Sequence, residues 1–372
     1  MRCRSTLLVK RSTDPSSDVE QRWRSLMEGR HTLMTGEAPR CRICASTELR
    51  GFDTREMMFG IRDTFTYQEC LSCGCVQIAE IPSNLQKYYP AGYHPSTEHR
   101  QDRSPLSARV IDFAKQRLVR SATIRNRFLK SDATQRWISS RPAPFAYLYL
   151  KHVPDQTSKI LDVGCGNGIL LKDLHYLYYR NISGVDPFID GDISFNGRIL
   201  VKKANLSDLS PAYDCVSFHH VLEHMPDQKA ALEETRRLLA PNGLAIIRIP
   251  VVGGFAWREY QPDWVQLDPP RHLYLHSERS FTLTANQAGF DVVSIEYDST
   301  GLQFWGSELY RRDIALKEPG SPWGPSWKVD ILDRRNRRLR RASSNAERGA
   351  RRRSDRGDGS PHDPDVTVTK IL

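Results

Sequence analysis

The segment Ile160-Leu-Asp-Val-Gly-Cys-Gly-Asn-Gly168 constrains the fold of this chain more than any other segment. An apolar run typical of a buried strand leads into three glycines, and a helical pattern begins directly afterwards. Glycine permits positive φ and lets a ligand approach the backbone closely. The N–H groups at the start of the following helix attract a carboxylate or another anion. The sequence therefore predicts a strand–turn–helix unit that binds a ligand.

Strands and helices alternate from Lys159 to about Ser299, which is the pattern of a parallel sheet with crossover helices. The predicted helices begin near Gly166, Asp227 and Ser277. The predicted strands are Lys159–Val163, Ile182–Asp186, Ile199–Lys203, Cys215–His219, Leu244–Ile249 and Asp291–Tyr297. We therefore predict an α/β fold with a doubly wound, Rossmann-like and mostly parallel sheet.

The residues around the glycines indicate which ligand the turn binds. Asp186 closes the second predicted strand, eighteen residues after Gly168, where a carboxylate accepts hydrogen bonds from ribose hydroxyls. A dinucleotide fingerprint requires a third glycine at position 169, which is Ile169, so a pyrophosphate is poorly matched. Asp162 would repel phosphates and suit an ammonium group. A ligand with a ribose, an amino group and no phosphate points to S-adenosylmethionine.

Four segments, in order, resemble motifs of the class I S-adenosylmethionine-dependent methyltransferase family. They are Leu161–Gly168, Gly184–Asp186, Tyr213–His224 and Leu239–Pro250. The resemblance covers roughly residues 159–300. It implies a methyltransferase sheet with S-adenosyl-L-methionine as the cofactor.

The resemblance also implies a role for each matching residue. The residues implied to frame the methionine moiety are Asp162, Gly164, Gly166 and Gly168. Asp186 would hold the ribose, and His219, at the end of the fourth strand, would lie nearest to the reacting methyl group. Asn205 stands where the family usually carries an acid, and its side-chain oxygen can serve the adenine amino group.

The identity of the acceptor depends on the segments after the fourth and fifth strands. Methyl transfer is an in-line displacement, so the positioning of the two reactants contributes most of the catalysis. A hydroxyl acceptor additionally needs a base. Methyltransferases of nucleobase amino groups carry Asp/Asn-Pro-Pro-Tyr/Phe directly after the fourth strand, and this chain does not. Its Asp268-Pro-Pro-Arg271 follows the fifth strand by about twenty residues. Nucleobase N-methylation is therefore disfavoured.

The polar segment Gln266–Ser277 resembles the substrate-side loop of a subfamily associated with sugar, polysaccharide and natural-product methylation. His272 is the first candidate for the base, with His220 and Arg271 in support, although a loop histidine is more often a hydrogen-bonded structural group. Glu223-His224 resembles a pair that binds metal in some RNA-terminal methyltransferases. Such sites need additional ligands, which the sequence does not clearly supply. We therefore expect this pair to orient the segment after the fourth strand.

Two CxxC pairs lie before the glycine turn, at Cys41, Cys44, Cys70 and Cys73. Four thiolates from two such turns suit tetrahedral Zn²⁺, although the 25 residues between the pairs slightly exceed the commonest ribbon spacing. The resembled subfamily carries a similar ribbon in this place. We predict a structural Zn²⁺ in a small N-terminal zinc ribbon, because four thiolates leave no open position for catalysis.

Charge divides the chain into appendages and a catalytic region. The sequence carries 54 Lys and Arg against 44 Asp and Glu, for a formal charge of +10. Residues 100–141 carry +8 and residues 331–360 carry +7, whereas residues 142–330 carry −5. An acidic catalytic region suits a sulfonium cofactor and makes a nucleic-acid partner unlikely. The basic stretches are compatible with peripheral contact to an anionic membrane.

Composition and periodicity also predict the domain organisation. We expect a disordered leader at 1–40, a zinc-ribbon-like domain at 41–80, a linker at 81–158 with a basic amphipathic helix within 103–130, the methyltransferase domain at 159–318 and a disordered Arg-rich tail at 319–372. No apolar run is long enough for a transmembrane helix, and the start of the chain does not suit a signal peptide. Sparse cysteines favour a cytoplasmic protein. The oligomeric state is left open.

Three functions remain open at the level of the sequence. The first is methyl transfer to a hydroxyl of a small molecule or glycan, such as a sugar, polysaccharide or natural product. The second is an RNA methyltransferase that uses the basic segments. The third is a non-catalytic protein that binds the cofactor and acts through interactions.

Overall fold

The computed structural model describes residues 4–11, 39–90, 146–195 and 198–318. Its strands are β1 (Arg4–Arg11), β2 (Leu49–Arg55), β3 (Thr64–Cys70), β4 (Val76–Ile78), β5 (Ile160–Val163), β6 (Ile182–Val185), β7 (Ile193–Phe195), β8 (Arg198–Lys202), β9 (Tyr213–His219), β10 (Leu239–Pro250), β11 (Tyr274–Leu275) and β12 (Phe290–Tyr297). Its α-helices are α1 (Ala146–His152), α2 (Ile169–Tyr176), α3 (Gln228–Leu238), α4 (Phe255–Tyr260), α5 (Glu278–Gln287) and α6 (Leu302–Arg311). Within these ranges, none of the helices has the length and apolarity that crossing a membrane requires.

The described residues belong to two compact units that interleave along the chain. Of the described residues, unit 1 takes 4–11, 39–85, 223–229 and 249–318, and unit 2 takes 86–90, 146–195, 198–222 and 230–248. This grouping differs from the predicted boundaries, because residues from 249 onward belong with the N-terminal residues. Each unit is described by itself.

Unit 2 contains a mostly parallel sheet with the strand order β10–β9–β5–β6–β8–β7. The five strands from β10 to β8 run parallel, and β7 pairs antiparallel with β8 at the edge. All four residues of β5 are buried, as expected for a central parallel strand with both faces covered. The prediction of a Rossmann-like, mostly parallel sheet is confirmed.

The predicted strands are all present, with small changes at their ends. The largest difference is in β10, which begins at Leu239 instead of Leu244 and has an irregular register between these two residues. Helix α2, which follows the glycine turn, begins at Ile169, three residues after the predicted start near Gly166, because the glycines occupy the turn.

Unit 1 contains a four-stranded antiparallel sheet with the order β11–β4–β3–β2. Its core combines ribbon residues, including the buried Cys41, Cys70 and Cys73, with residues that follow β10 in sequence. Trp257 and Trp264 pack edge to face in this core, with ring centroids 5.7 Å apart. The predicted ribbon at 41–80 therefore shares its apolar core with distant residues of the same unit, since a segment of this length buries little apolar surface by itself.

Residues 4–11 correct the prediction of a disordered leader at 1–40. They form β1, which pairs antiparallel with β12 and places Leu8 opposite Ser294. Leu7 and Val9 are fully buried. The sequence did not predict β1, because one short apolar run shows no periodic pattern. Its partner strand β12 also lies near the other end of the described chain. The rest of the leader, the predicted basic helix within 103–130 and the tail from 319 lie outside the described residues.

Candidate functional site

The glycine turn of unit 2 has the backbone conformation that its sequence predicts. Gly164, Gly166 and Gly168 have φ of 63°, 53° and 72°, in the region that favours glycine. A Cβ atom at Gly164 would lie 2.6 Å from Cγ2 of Val221, so the turn also requires the missing side chain. Gly168 caps α2. The strand, turn and helix are thus present in the predicted order.

Two carboxylates lie beside this turn, on neighbouring parallel strands. Asp162, in β5, is 2% exposed and accepts a 2.9 Å hydrogen bond from Oγ of Ser217. Burial raises the pKa of Asp162 to about 7, and the negative charge of Asp186 contributes to the rise, whereas the Ser217 hydrogen bond opposes it. A nearby cation would stabilise the ionised form of this buried carboxyl group, so the position suits an ammonium group.

Asp186 directly follows β6 and is oriented by two backbone donors. Gly166 N–H donates to Oδ2 at 2.9 Å, and Phe188 N–H donates to Oδ1 at 2.8 Å. The first of these bonds ties the carboxylate to the glycine turn itself. Asp186 therefore has a fixed orientation at the carboxyl ends of the strands, where ligands bind in open α/β sheets.

The two remaining predicted cofactor residues also follow parallel strands of unit 2. Asn205 is exposed after β8, and its backbone N–H donates to Oδ2 of Asp208 at 2.9 Å. His219 ends β9, and its Nε2 lies 3.0 Å from the hydroxyl of the buried Tyr149. Burial raises the pKa of Tyr149 well above its ordinary value, so its hydroxyl stays protonated. The cofactor contacts of Asn205 and His219 remain predictions.

His220, predicted to support the base, is held by an arginine of unit 2. Nη1 of Arg248 donates to Nε2 of His220 at 2.6 Å, and the backbone N–H of His220 donates to the Arg248 carbonyl at 2.9 Å. The proton of a neutral His220 is then on Nδ1, so Nε2 does not act as a proton acceptor while this bond is present. Arg248 is 4% exposed and was not singled out from the sequence, although an arginine within the apolar run of β10 is a signal.

His272, the predicted base, belongs to a cluster of polar side chains in unit 1. Its Nδ1 lies 2.8 Å from the Gln266 carbonyl, which can only accept, so Nδ1 carries the proton and Nε2 the lone pair. This Nε2 lies 4.0 Å from Oε1 of Glu223 and 3.9 Å from Oδ2 of Asp268. A lone pair at Nε2 can accept a proton or bind a metal ion.

His224 has the same tautomer, for the same reason. Its Nδ1 donates to the Arg271 carbonyl at 2.9 Å, and its ring meets the His272 ring edge to face at 4.7 Å between centroids. Burial, together with a smaller contribution from the neighbouring His272, lowers the pKa of His224 to about 4. His224 is therefore neutral at physiological pH.

Arg271, the third residue predicted to be catalytic, is completely buried in unit 1. Its Nη2 lies 2.7 Å from Oε1 of Glu56 and 2.5 Å from Oδ1 of Asp268. Its guanidinium also lies over the Phe59 ring, 5.1 Å from the centroid. These contacts fix the loop whose carbonyl groups orient the two histidines. The structure thus gives Arg271 a positioning role, and a direct catalytic role remains a prediction.

The four predicted zinc ligands form one cluster in unit 1. Sγ of Cys41 lies 3.6 Å from Sγ of Cys73, and Sγ of Cys44 lies 3.5 Å from Sγ of Cys70. Sulfur atoms bound to one tetrahedral Zn²⁺ at ~2.3 Å would be about 3.8 Å apart, so this cluster fits the ion. The described cysteines form no disulfide. The neighbouring Cys75 lies outside the four-sulfur set, and burial raises its pKa, which keeps it a thiol.

Residues 122–295 match the model of a family described as a methyltransferase domain. Among curated relatives, a ubiquinone biosynthesis O-methyltransferase from Xanthomonas axonopodis pv. citri is 23% identical over 152 residues, which is 38% of this chain and 63% of that protein. The corresponding enzyme from Colwellia psychrerythraea is 29% identical over 97 residues, covering 23% of this chain and 39% of that protein. The chain thus spans less than two thirds of the length of these relatives.

Among solved structures, a SAM-dependent methyltransferase from Archaeoglobus fulgidus is similar, with 18% identity, a TM-score of 0.32 and coverage of 45% of this chain and 72% of that chain. Magnesium protoporphyrin IX methyltransferase from Synechocystis shows 15% identity, a TM-score of 0.30 and coverage of 56% and 83%. The family match agrees with the parallel sheet and with the glycine turn of unit 2. Residues 122–295 are therefore similar to a methyltransferase domain.

Proposed function

We propose that this chain transfers a methyl group from S-adenosylmethionine to a hydroxyl group of a small molecule or glycan, such as a sugar, polysaccharide or natural product. The observation that carries the proposal is the glycine turn with Asp162 and Asp186 beside it. A buried carboxyl group suits the cofactor's ammonium group, and an oriented carboxylate suits its ribose hydroxyls. In this assignment Gly164, Gly166 and Gly168 frame the methionine moiety, Asn205 serves the adenine, and His219 lies nearest to the methyl group.

The reaction breaks the bond between the sulfonium sulfur and the methyl carbon and forms a carbon–oxygen bond to the acceptor. The leaving group is S-adenosylhomocysteine, and the hydroxyl proton must leave the acceptor oxygen. We assign the activation of this hydroxyl to His272, because its tautomer places a lone pair on Nε2. Arg271 supports this role by fixing the loop. The arginine beside His220 favours a hydrogen-bonding role for that residue, in place of proton acceptance.

Incubation with methyl-labelled S-adenosylmethionine tests this function. Fractionated pools of small molecules, glycans and RNA would serve as acceptors, and the label should appear in the small-molecule or glycan fraction. Label in RNA would contradict the acceptor class, and no transfer to any pool would favour a cofactor-binding interaction protein. The cytoplasmic location inferred from the cysteine content remains a prediction.

The cofactor assignment has its own test in the Asp186→Ala variant. Loss of the carboxylate should abolish the binding of S-adenosylmethionine, measured by calorimetry. Asp190→Ala is the matched control, because Asp190 is exposed and lies only four residues further along the chain. Equal binding by the two variants would contradict the role of Asp186.

We further propose that the four-cysteine cluster holds one structural Zn²⁺. The supporting observation is the close approach of its sulfur pairs, at 3.5 and 3.6 Å. The purified protein should contain one zinc per chain by elemental analysis. Cys70→Ser should lose this zinc and lower the unfolding temperature, whereas Cys215→Ser, which changes a buried cysteine outside the cluster, should keep the zinc.

A further inference from the structure

The segment 272–277, which contains the proposed base, is bound to the ribbon at successive positions. The hydroxyl of Tyr67, in β3, donates to the His272 carbonyl at 2.7 Å, and the backbone N–H of Ile78 donates to the Leu273 carbonyl at 3.1 Å. The next two residues of the segment form β11, which pairs antiparallel with β4. These contacts all lie within unit 1. The conformation around His272 therefore depends on residues of the ribbon.

The ribbon strand that pairs with this segment begins shortly after a turn that carries two cysteines of the cluster. Cys70 and Cys73 are two of the four residues proposed to hold Zn²⁺, and two residues separate Cys73 from β4. The turn also contacts the segment itself. Oγ of Ser277 donates to the Cys73 carbonyl at 2.6 Å, and a Cβ atom at Gly74 would lie 3.1 Å from Cβ of Ser277. A metal ion bound by the cysteines would therefore fix the start of β4 and, with it, the pairing of β4 with β11.

Three hydrogen bonds continue this arrangement to residues 223–229, which also belong to unit 1. Each of them joins a residue of segment 272–277 to a residue of segment 223–229. The pairs, with the donor first, are Leu273 N–H and the Glu223 carbonyl at 2.8 Å, the Tyr274 hydroxyl and the Pro226 carbonyl at 3.1 Å, and His276 Nε2 and Gln228 Oε1 at 2.6 Å. Hydrogen bonds therefore link the ribbon, the loop of His272 and residues 223–229 in that order.

The strands that make this link are too short to be stable by themselves. β11 has two residues and β4 has three, and even a longer isolated pair of strands is marginally stable in water. A metal ion on four thiolates supplies the missing constraint, because in small metal-binding domains the free energy of metal binding is folding free energy. Without the ion, we expect the cysteine turn, β4 and β11 to lose their fixed positions together.

We propose that metal binding at the four-cysteine cluster positions His272, with Tyr67 as the positioning residue that joins the ribbon to the His272 carbonyl. The proposed cofactor residues Asp162 and Asp186 belong to unit 2, so the metal would control methyl transfer without controlling the binding of S-adenosylmethionine. The effect on catalysis rests on the proposed function, in which His272 activates the acceptor hydroxyl. The effect on the conformation of the loop does not, and it can be measured without an acceptor.

Hydrogen exchange of the full chain, followed by mass spectrometry before and after a chelator removes zinc, tests the link. Backbone protection in 223–229 and 272–277 should fall by about tenfold or more without zinc, and protection in Ile160–Val163 of unit 2 should not change. Calorimetry should give the same affinity for S-adenosylmethionine with and without zinc. Unchanged protection of the two segments would overturn the proposal, as would a loss of protection that extends through unit 2.

The Tyr67→Phe variant tests the positioning residue in the zinc-loaded protein. It keeps the aromatic ring in the core and removes the hydroxyl that donates to the His272 carbonyl. Because this buried carbonyl loses a donor, kcat for transfer to the labelled acceptor fraction should fall about tenfold. The KM for S-adenosylmethionine and the zinc content should not change. Tyr260→Phe is the matched control, because it removes a buried hydroxyl of the same core that donates to Glu308.

A nuclear magnetic resonance measurement of the His272 ring requires no acceptor. The Cε1–H signal of His272, identified by its absence in His272→Ala, should shift in Tyr67→Phe and in zinc-free protein, and should keep its wild-type position in Tyr260→Phe. An unshifted signal in Tyr67→Phe, together with an unchanged kcat, would overturn the role of Tyr67. Shifted signals and altered exchange in a protein that transfers no methyl group would confirm the conformational link and refute the proposed function alone.

Discussion

Replacing Asp162 with asparagine should remove a pH-dependent cost of burying a carboxylate. Asp162 is 2% exposed, and burial raises its pKa from the ordinary 3.8 to about 7. Oγ of Ser217 donates to Oδ1 of this side chain, and an asparagine oxygen in the same place accepts the same bond. The substitution therefore removes the charge and keeps the contact.

The sign follows from the proton balance between the folded and unfolded chain. Between about pH 4 and about pH 7 the folded protein holds a proton on Asp162 that the unfolded chain has released. The free energy of unfolding therefore falls as the pH rises through this window. One pKa unit corresponds to about 1.4 kcal/mol, so the wild type should lose about 3 kcal/mol between pH 5 and pH 8 through this group.

Urea unfolding of the wild type and of Asp162→Asn at pH 5 and pH 8 measures this loss. The stability of the variant relative to the wild type should increase by about 3 kcal/mol from pH 5 to pH 8. Asp190→Asn, which changes an exposed carboxylate, is the control and should show no such increase. A difference between wild type and Asp162→Asn that is the same at both pH values would refute the reasoning.

The same carboxyl group predicts proton release when S-adenosylmethionine binds. The ammonium group of the cofactor favours the ionised form of Asp162, so binding near pH 6.5 should release a fraction of a proton. Calorimetry in two buffers with different ionisation enthalpies measures this fraction. The Asp162→Asn variant should release none through this position, and an undiminished release would contradict the assignment of Asp162 to the ammonium group.

Two further predictions concern stability. Arg271→Met leaves Glu56 and Asp268 buried without their cation and should cost about 3–5 kcal/mol in urea unfolding, and a loss below 1 kcal/mol would contradict the positioning role. Gly164→Ala should lower the thermal midpoint, because its Cβ would lie 2.6 Å from Val221 in a left-handed backbone. Val221→Ala in the same chain should recover part of this loss, and the absence of recovery would show that backbone strain accounts for all of it.

Local sequence patterns predicted the parts of the fold that depend on local geometry. The glycines at 164, 166 and 168 require positive φ, and apolar runs such as Ile160–Val163 suit a central parallel strand. Both signals lie within a few residues, so each could be recognised in the sequence. The pairing of β1 with β12 depends on residues at opposite ends of the described chain, and no local pattern records it.

The predicted domain boundaries differ from the observed units for a similar reason. The segment 41–80 carries its own cysteine pairs and turn signals, which suggested an independent ribbon. In the structure β4 of this segment pairs with β11, and Tyr67 donates its hydroxyl to the His272 carbonyl at 2.7 Å. The composition of a segment does not predict such contacts, because they join residues about two hundred positions apart.

Glu223, His224 and His272 show which contacts the sequence could not predict. Glu223 and His224 drew attention as a pair, and His272 drew attention as a base, but the sequence supplied no reason to connect them. The connection comes from backbone atoms: Leu273 N–H holds the Glu223 carbonyl, and the carbonyls of Gln266 and Arg271 fix both imidazole tautomers. Backbone hydrogen bonds leave no pattern in the sequence, so the closeness of His272 to Glu223 and His224 could be recognised only from the loop's conformation. The loop supports the role proposed for His272, because the Gln266 carbonyl accepts the Nδ1 proton and leaves the lone pair on Nε2.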